Sequence, residues 1–340
     1  MSDSSPPPAS APWAGLLAWL GVSAGFVLLE ATGWADGLAV PVPLILALAA
    51  ARTLEHAAWA RRQARRIAMV VVLGLAGLGA LAWELDVEAG GFQAVELRGA
   101  LFAAAALGGL LVNARVRALA LRPLGLDPAS AGHAVVAVAV ALAALSSVKL
   151  FVALQDEPPA TIPYYASDSV TAVVADTALA MVGAGFLLTR DLPAALARLD
   201  LRPVGLRQAG AAVAAAIGML AAVGVLDWTE RVVLPGVHER EGRFGYQFVG
   251  IPPLAGAVLV SGSAGVGEEL LFRGALQPRL GIGLSAALFA LLHVQYQLPG
   301  ILMILAAGLV LGLIKRRTST TFTVIVHVVY DVGVFLMFAG

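Results

Sequence analysis

Residues 252–293 read PPLAGAVLVSGSAGVGEELLFRGALQPRLGIGLSAALFALLH. The apolar run 252–279 and the run that follows it, 281–296, meet at Gly281-Ile282-Gly283 just after Arg279. This pattern predicts a helical hairpin that turns at a membrane face. Both runs are apolar enough to lie in lipid, yet Glu268, Glu269 and Arg273 stand in the first and His293 in the second. Charge within a spanning helix is costly, which makes each of these residues a functional candidate.

The rest of the chain suits the same solvent. Of its 340 residues 59% are hydrophobic and 13% charged, and the mean hydropathy is +0.87. A soluble surface needs about 25% charged residues. The composition therefore predicts an all-α integral membrane protein, a polytopic helical bundle. About 11 transmembrane spans are expected, near 13–31, 37–51, 67–83, 99–113, 132–153, 169–189, 208–226, 252–279, 281–296, 297–314 and 319–339. Residues 1–12 are Pro/Ser-rich and read as a disordered tail. They contain no Lys or Arg, so the first run lacks the basic flank of a cleaved signal peptide and reads as a retained span.

Most of the 22 Lys and Arg fall on alternate loops: Arg52 to Arg66, Arg115 to Arg122, Arg190 to Arg207, Arg279, and Lys315-Arg316-Arg317. The intervening loops carry Glu84, Asp86, Glu88, Glu96, Asp156, Glu157 and Asp168 instead. The positive-inside rule then places the basic loops and the N-terminus in the cytoplasm, in a cell membrane (inner or plasma). The 22 acidic residues balance the 22 basic ones, which speaks against a nucleic-acid partner. The absence of cysteine excludes disulfides, thiol catalysis, iron–sulfur clusters and Cys-ligated zinc. Any metal would have to be held by carboxylates and by the five histidines.

Two hexapeptides, Leu121–Leu126 (LRPLGL) and Leu201–Leu206 (LRPVGL), echo one another and read as two independent helix-entry segments. Residues 227–248 are polar and read as an outer loop or interfacial helix. Among the earlier spans Asp176, Lys149 and Glu30 are read as structural. His56, His133 and His238 fall at loops or span ends and read as solvated.

The last 90 or so residues differ, because His327 and Asp331 join the four groups above. At 1.5 Å per residue, Glu268 lies about 16 Å from the turn at Arg279, and His293 about 18 Å beyond Gly281. His327 and Asp331 lie about 14 and 20 Å into the last span. Three helices thus bring polar groups to one depth in a hydrocarbon core about 30 Å thick. His327 and Asp331 share a helix face at i,i+4, as do Glu269 and Arg273, which can neutralise each other. Glu268 is turned about 100° from Glu269 and is left for chemistry. Imidazoles and Asp331 can hold a water, directly or through a metal, that Glu268 activates as general base. A protonated His or a metal would stabilise the oxyanion of a peptide carbonyl under attack.

Glu268–Arg273 (EELLFR) matches EExxxR, Phe289–His293 (FALLH) matches FxxxH, and His327–Asp331 (HVVYD) matches HxxxN/D. In this order the three motifs resemble the CPBP intramembrane proteases. That family includes the Ras-converting CAAX prenyl endopeptidase and bacterial bacteriocin-processing and self-immunity proteins. The resemblance covers a domain at 205–340, leaving 13–204 as an accessory transmembrane region. It implies that Glu268 activates the water, that His293, His327 and Asp331 complete the site, and that Glu269, Arg273 and Phe289 support it. Asp331 stands where many members carry Asn. The resemblance implies a membrane-anchored protein as substrate, cut near its C-terminus, and no organic cofactor. A divalent metal such as Zn2+, held by His293, His327, Asp331 and Glu268, stays open beside a purely glutamate-dependent mechanism. Other readings of the cluster are a proton-coupled transporter and a catalytically idle scaffold or immunity protein. A rhomboid-like serine at Ser263 is disfavoured, since Ser261–Gly265 reads as a small-residue packing stretch.

Overall fold

The computed structural model describes residues 12–33, 38, 41–56, 74, 111–154, 161–242, 245–293 and 295–338. Nearly all of these residues are helical, as the apolar runs predict, because only helices and closed barrels satisfy every backbone group in lipid. The chain divides into two compact units, residues 1–142 with 178–198 and residues 143–177 with 199–340.

The first unit holds helices α1 (Pro12–Ala31), α2 (Val42–His56) and α3 (Ala114–Leu121), and α4 (Ala131–Leu154) begins in it. The Trp19 indole N–H donates to the Phe186 carbonyl at 2.9 Å, and the two rings meet edge to face. Glu55 accepts hydrogen bonds from the Ser130 hydroxyl at 2.6 Å and the Gly132 amide at 3.0 Å. Burial alone would push the Glu55 carboxyl up, but these two donors and Arg52 together hold it below the usual carboxylate range.

The second unit starts with the C-terminal part of α4 and contains strand β1 (Thr161–Tyr164), most of helix α5 (Ala166–Ala184) and, after α6 (Leu192–Arg198), helices α7 (Leu206–Val233) and α8 (Pro235–Glu241). Strand β2 (Gly245–Phe248) then runs parallel to β1. The polar stretch 227–248 is therefore the end of α7, a short helix and a strand. Helix α9 (Pro253–Glu268) continues into a π-helical segment (Glu269–Leu276), and α10 (Gln277–Leu291), α11 (Leu298–Arg317) and α12 (Thr320–Phe338) complete the unit. Its core is Ala212, Ala216 and Met219 of α7 packed on Leu311 of α11 and Phe322 and Val326 of α12.

The predicted hairpin is present. Gly281 has φ 74° and ψ 173°, a conformation essentially reserved for glycine, and it breaks the helix direction inside α10. Beyond it the chain folds back: the Ser285 hydroxyl donates to the Phe272 carbonyl, and the Phe272 and Phe289 rings meet at 5.3 Å. In an uninterrupted helix those two rings would stand about 25 Å apart.

The span count needs correction. Five helical stretches among the described residues are long and apolar enough to cross a membrane: Trp13–Ala31, Leu206–Val233, Pro253–Leu291, Leu298–Arg317 and Thr320–Met337. The stretch Pro253–Leu291 holds both expected runs, 252–279 and 281–296, which fold back on one another at Gly281. The run at 37–51 corresponds to α2, at 15 residues too short, and Ala131–Leu145 within α4 is a further short apolar helix. The run at 67–83, apart from Gly74, and most of 99–113 lie outside the described residues, as do the Pro/Ser-rich residues before Pro12. The hexapeptide echo does not extend to conformation. Gly125 is left-handed and closes a turn, whereas Gly205 is extended and caps α7.

Candidate active site

The motif Glu268–Arg273 sits where α9 gives way to the π-segment. Wider π turns recur at functional sites, and here two consecutive carboxylates at the transition approach one imidazole. His327 of α12 has Nδ1 3.0 Å from Glu269 Oε1. Its Nε2 is 3.4 Å from Asp331 Oδ2 and 3.8 Å from Glu268 Oε2. Glu268 and Glu269, turned about 100° from one another, thus approach opposite nitrogens of the His327 ring. Close approach of the helices allows this, because a Cβ on Gly265 would come within 2.6 Å of Val328 Cγ2. The small residues around Ser263 are therefore a packing surface, and the Ser263 hydroxyl donates to Val260 of its own helix.

Glu269 and Arg273 are both fully enclosed, at 0% and 1% exposure, and Arg273 Nε lies 3.5 Å from Glu269 Oε2. The guanidinium carbon stands 4.7 Å over the Phe289 ring and 5.9 Å from Phe272. Phe289 also meets His327 edge to face at 6.0 Å and His293 at 4.8 Å. One phenyl ring thus packs against Arg273 and both histidines.

His293 lies one residue beyond the α10 cap, not inside a spanning helix as expected, because α10 ends at Leu291. Its Nδ1 is 2.8 Å from the Phe289 carbonyl, so that nitrogen carries the proton and Nε2 is left as an acceptor. His293 is close enough to His327 and Asp331 to interact with their charges. His133 and His238 are elsewhere. His133 is buried rather than solvated and accepts the Asp127 amide, while His238 lies 3.5 Å from Asp227.

Asp176 of α5, read from the sequence as a structural group, arrives at the same place. A Cβ on Gly267, the residue before Glu268, would come within 2.8 Å of Asp176 Oδ2. The charges of Asp176 and Glu268 are close enough to repel. No spacing or motif signals this contact, since the residue that admits it has no side chain.

The candidate metal ligands His293, His327, Asp331 and Glu268 are not arranged as such. Both nitrogens of His327 are directed at carboxylates, which leaves His293 Nε2 as the one imidazole nitrogen of this set able to accept. Among the described residues no three His, Asp or Glu side chains form a group able to hold an ion. As placed, these donors do not fit a divalent metal, and the chemistry below is derived from the side chains alone.

Residues 250–333 match the model of the family described as type II CAAX prenyl endopeptidase Rce1-like. The chain carries an Rce1-like domain. None of the curated proteins and none of the solved structures matches it. The Rce1-like domain contains every motif residue from Glu268 to Asp331, and Asp176 lies outside it. Its family implies CAAX-type protease activity within the membrane. Together with the apolar helices, this makes the chain a multi-pass membrane protein that acts on a protein substrate.

The loop after His293 is held from α8. Glu241 Oε1 accepts the Gln297 amide at 2.8 Å and the Gly300 amide at 3.3 Å, so it caps α11. Burial, and then the neighbouring Glu230, push the Glu241 carboxyl up to about 7. The folded chain therefore keeps a proton here that the unfolded chain releases above the ordinary carboxylate range. Stability from this group is fully present at pH 4 and falls as pH rises through 7. Glu241→Gln keeps an acceptor and removes the titration. Melts of the detergent-solubilised protein at pH 5 and pH 8 should show a smaller loss of Tm in the variant. Equal losses would show that Glu241 does not titrate in this range.

Proposed function

We propose that this protein is an intramembrane endopeptidase that hydrolyses a peptide bond near the C-terminus of a membrane-tethered protein, with Glu268 as general base. The observation that carries this reading is the carboxylate clasp on His327, formed by Glu269 at one nitrogen and by Asp331 and Glu268 at the other. Glu268 takes a proton from water, whose remaining hydrogen is held by His293 Nε2. The water oxygen bonds to the peptide carbonyl carbon, and the oxyanion takes over the N–H of His327 Nε2 from Asp331, whose Oδ2 stands 3.4 Å from it in the resting site. Collapse breaks the C–N bond, and the departing amine takes the proton from Glu268. Asp331 and Glu269 orient His327, and Arg273 and Phe289 fix Glu269 and the two rings. In this reading 205–340 is the protease domain and 13–204 an accessory region that docks substrate. The basic loops, with the N-terminus, face the cytoplasm of a cell membrane.

The test is cleavage of co-expressed, C-terminally anchored reporters by wild type, His293→Ala and His327→Ala at matched protein levels. Loss of an interaction that orients water or stabilises the oxyanion should lower cleavage by about 10²-fold or more. Processing by both variants at the wild-type rate would remove the proposal.

A further inference from the structure

A second polar site lies where α11 ends at Arg317, α12 starts at Thr320 and the hairpin turns at Gly281. A cavity of about 630 Å³ opens there, and Asp200, Arg202, Gln277, Gly281, Lys315 and Arg316 are among its walls. Small-molecule sites have volumes of about 300–1,000 Å³. The Asp200 carboxylate meets Arg202 Nε at 2.5 Å and Lys315 Nζ at 3.6 Å, and among the described residues Arg316 has no ion pair. Three cations against one carboxylate leave the wall with a surplus of two positive charges. The wall is also fixed in place. The Thr320 amide donates to the Asp200 carbonyl at 3.2 Å, and the Arg202 amide donates to the Thr321 hydroxyl at 3.0 Å. Gln277 is 7% exposed; its Nε2 donates to the Gly312 carbonyl at 3.0 Å, and its Oε1 has no hydrogen-bond partner. A buried acceptor without a donor is uncommon and calls for an explanation.

We propose that this cavity holds the headgroup of an anionic glycerophospholipid, with its phosphate on Arg202, Lys315 and Arg316. Helices long and apolar enough to cross the bilayer end here, which puts the cavity level with the headgroups of one membrane face. Basic pockets between spanning helices take such headgroups. The guanidinium forks of Arg202 and Arg316 match phosphate oxygens, and Lys315 adds a point charge. The hydroxyls of a glycerol headgroup supply donors of the kind that Gln277 lacks. A basic helix end attracts an anionic leaflet even without a site. The cavity separates the two cases, because Lys315 and Arg316 line it and Arg317, also exposed, does not.

The experiment titrates phosphatidylglycerol into the detergent-solubilised full chain and counts bound lipid by native mass spectrometry, with phosphatidylcholine and soluble glycerol 3-phosphate alongside. Wild type should bind phosphatidylglycerol more tightly than either of the other two. Lys315→Gln and Arg316→Gln should each lower that affinity by about fivefold. Arg317→Gln should leave it unchanged. Arg316 is exposed and outside any ion pair, so Arg316→Gln carries the test if Lys315→Gln, which takes a partner from Asp200, does not fold. Equal losses in all three variants would show a general attraction of the basic helix end and overturn the proposal. Equal affinity for phosphatidylglycerol and phosphatidylcholine would overturn it too. Glycerol 3-phosphate bound as tightly as the lipid would make the ligand a soluble phosphate and overturn the lipid assignment. Binding is the readout, so each outcome stands whether or not Glu268 is the base.

Discussion

Glu268→Gln is expected to abolish reporter cleavage while leaving the fold intact, with a loss of at least about 10²-fold and up to 10⁴-fold. The amide has nearly the shape of the carboxylate but cannot accept a proton from water at any working pH. The variant also removes a half-buried charge. Glu268 lies 3.8 Å from His327 Nε2, farther than Asp331 at 3.4 Å, so the histidine keeps its principal partner on that side. The neighbouring Asp176 loses a repulsive neighbour, so the melting temperature should hold or rise. Activity and stability therefore move apart, which separates a chemical role from a structural one. A scaffold reading predicts the reverse, with function kept or lost in step with stability. Measuring cleavage and Tm on the same preparations decides between them.

The site was partly legible in the sequence, because helices keep a fixed rise. Counting residues from Arg279 and from Lys315-Arg316-Arg317 was enough to put Glu268, His327 and Asp331 at one depth. The structure gathers these residues around one ring. Rotation about the helix axis was not legible in the same way. Glu269 does stand beside Arg273, but counting turns gives no sign that the same carboxylate also reaches Nδ1 of His327. His293 was read inside a helix because the apolar run continues past it, whereas α10 stops at Leu291. Hydropathy likewise counts apolar runs without regard to helix length, so it promoted the short α2. Asp176 was illegible because its signal is an absence, the missing side chain of Gly267, in a helix distant in sequence.

The largest stability effect is expected at Glu269. In Glu269→Leu the Arg273 guanidinium, 1% exposed, loses its counter-charge and keeps only the faces of Phe289 and Phe272. Breaking such a buried pair costs about 3–5 kcal/mol. Arg273→Leu should cost less, because Glu269 still holds the Nδ1 side of His327 at 3.0 Å. The double variant Glu269→Leu with Arg273→Leu removes both charges, and apolar replacement of a buried ion pair is often neutral. It should recover most of the stability lost in Glu269→Leu, a coupling that unfolding of the four proteins in detergent would read directly. Cleavage should not recover with it. With Glu269 gone, nothing accepts from Nδ1 of His327, and the ring is free to turn its Nε2 proton away from the oxyanion. A double variant as unstable as Glu269→Leu would show that Glu269 holds the fold through contacts other than Arg273. A stable double variant with wild-type cleavage would show that the clasp on His327 is not what orients it. Stability that returns without activity is the outcome that assigns Glu269 to both tasks, one oxygen for the arginine and one for the histidine.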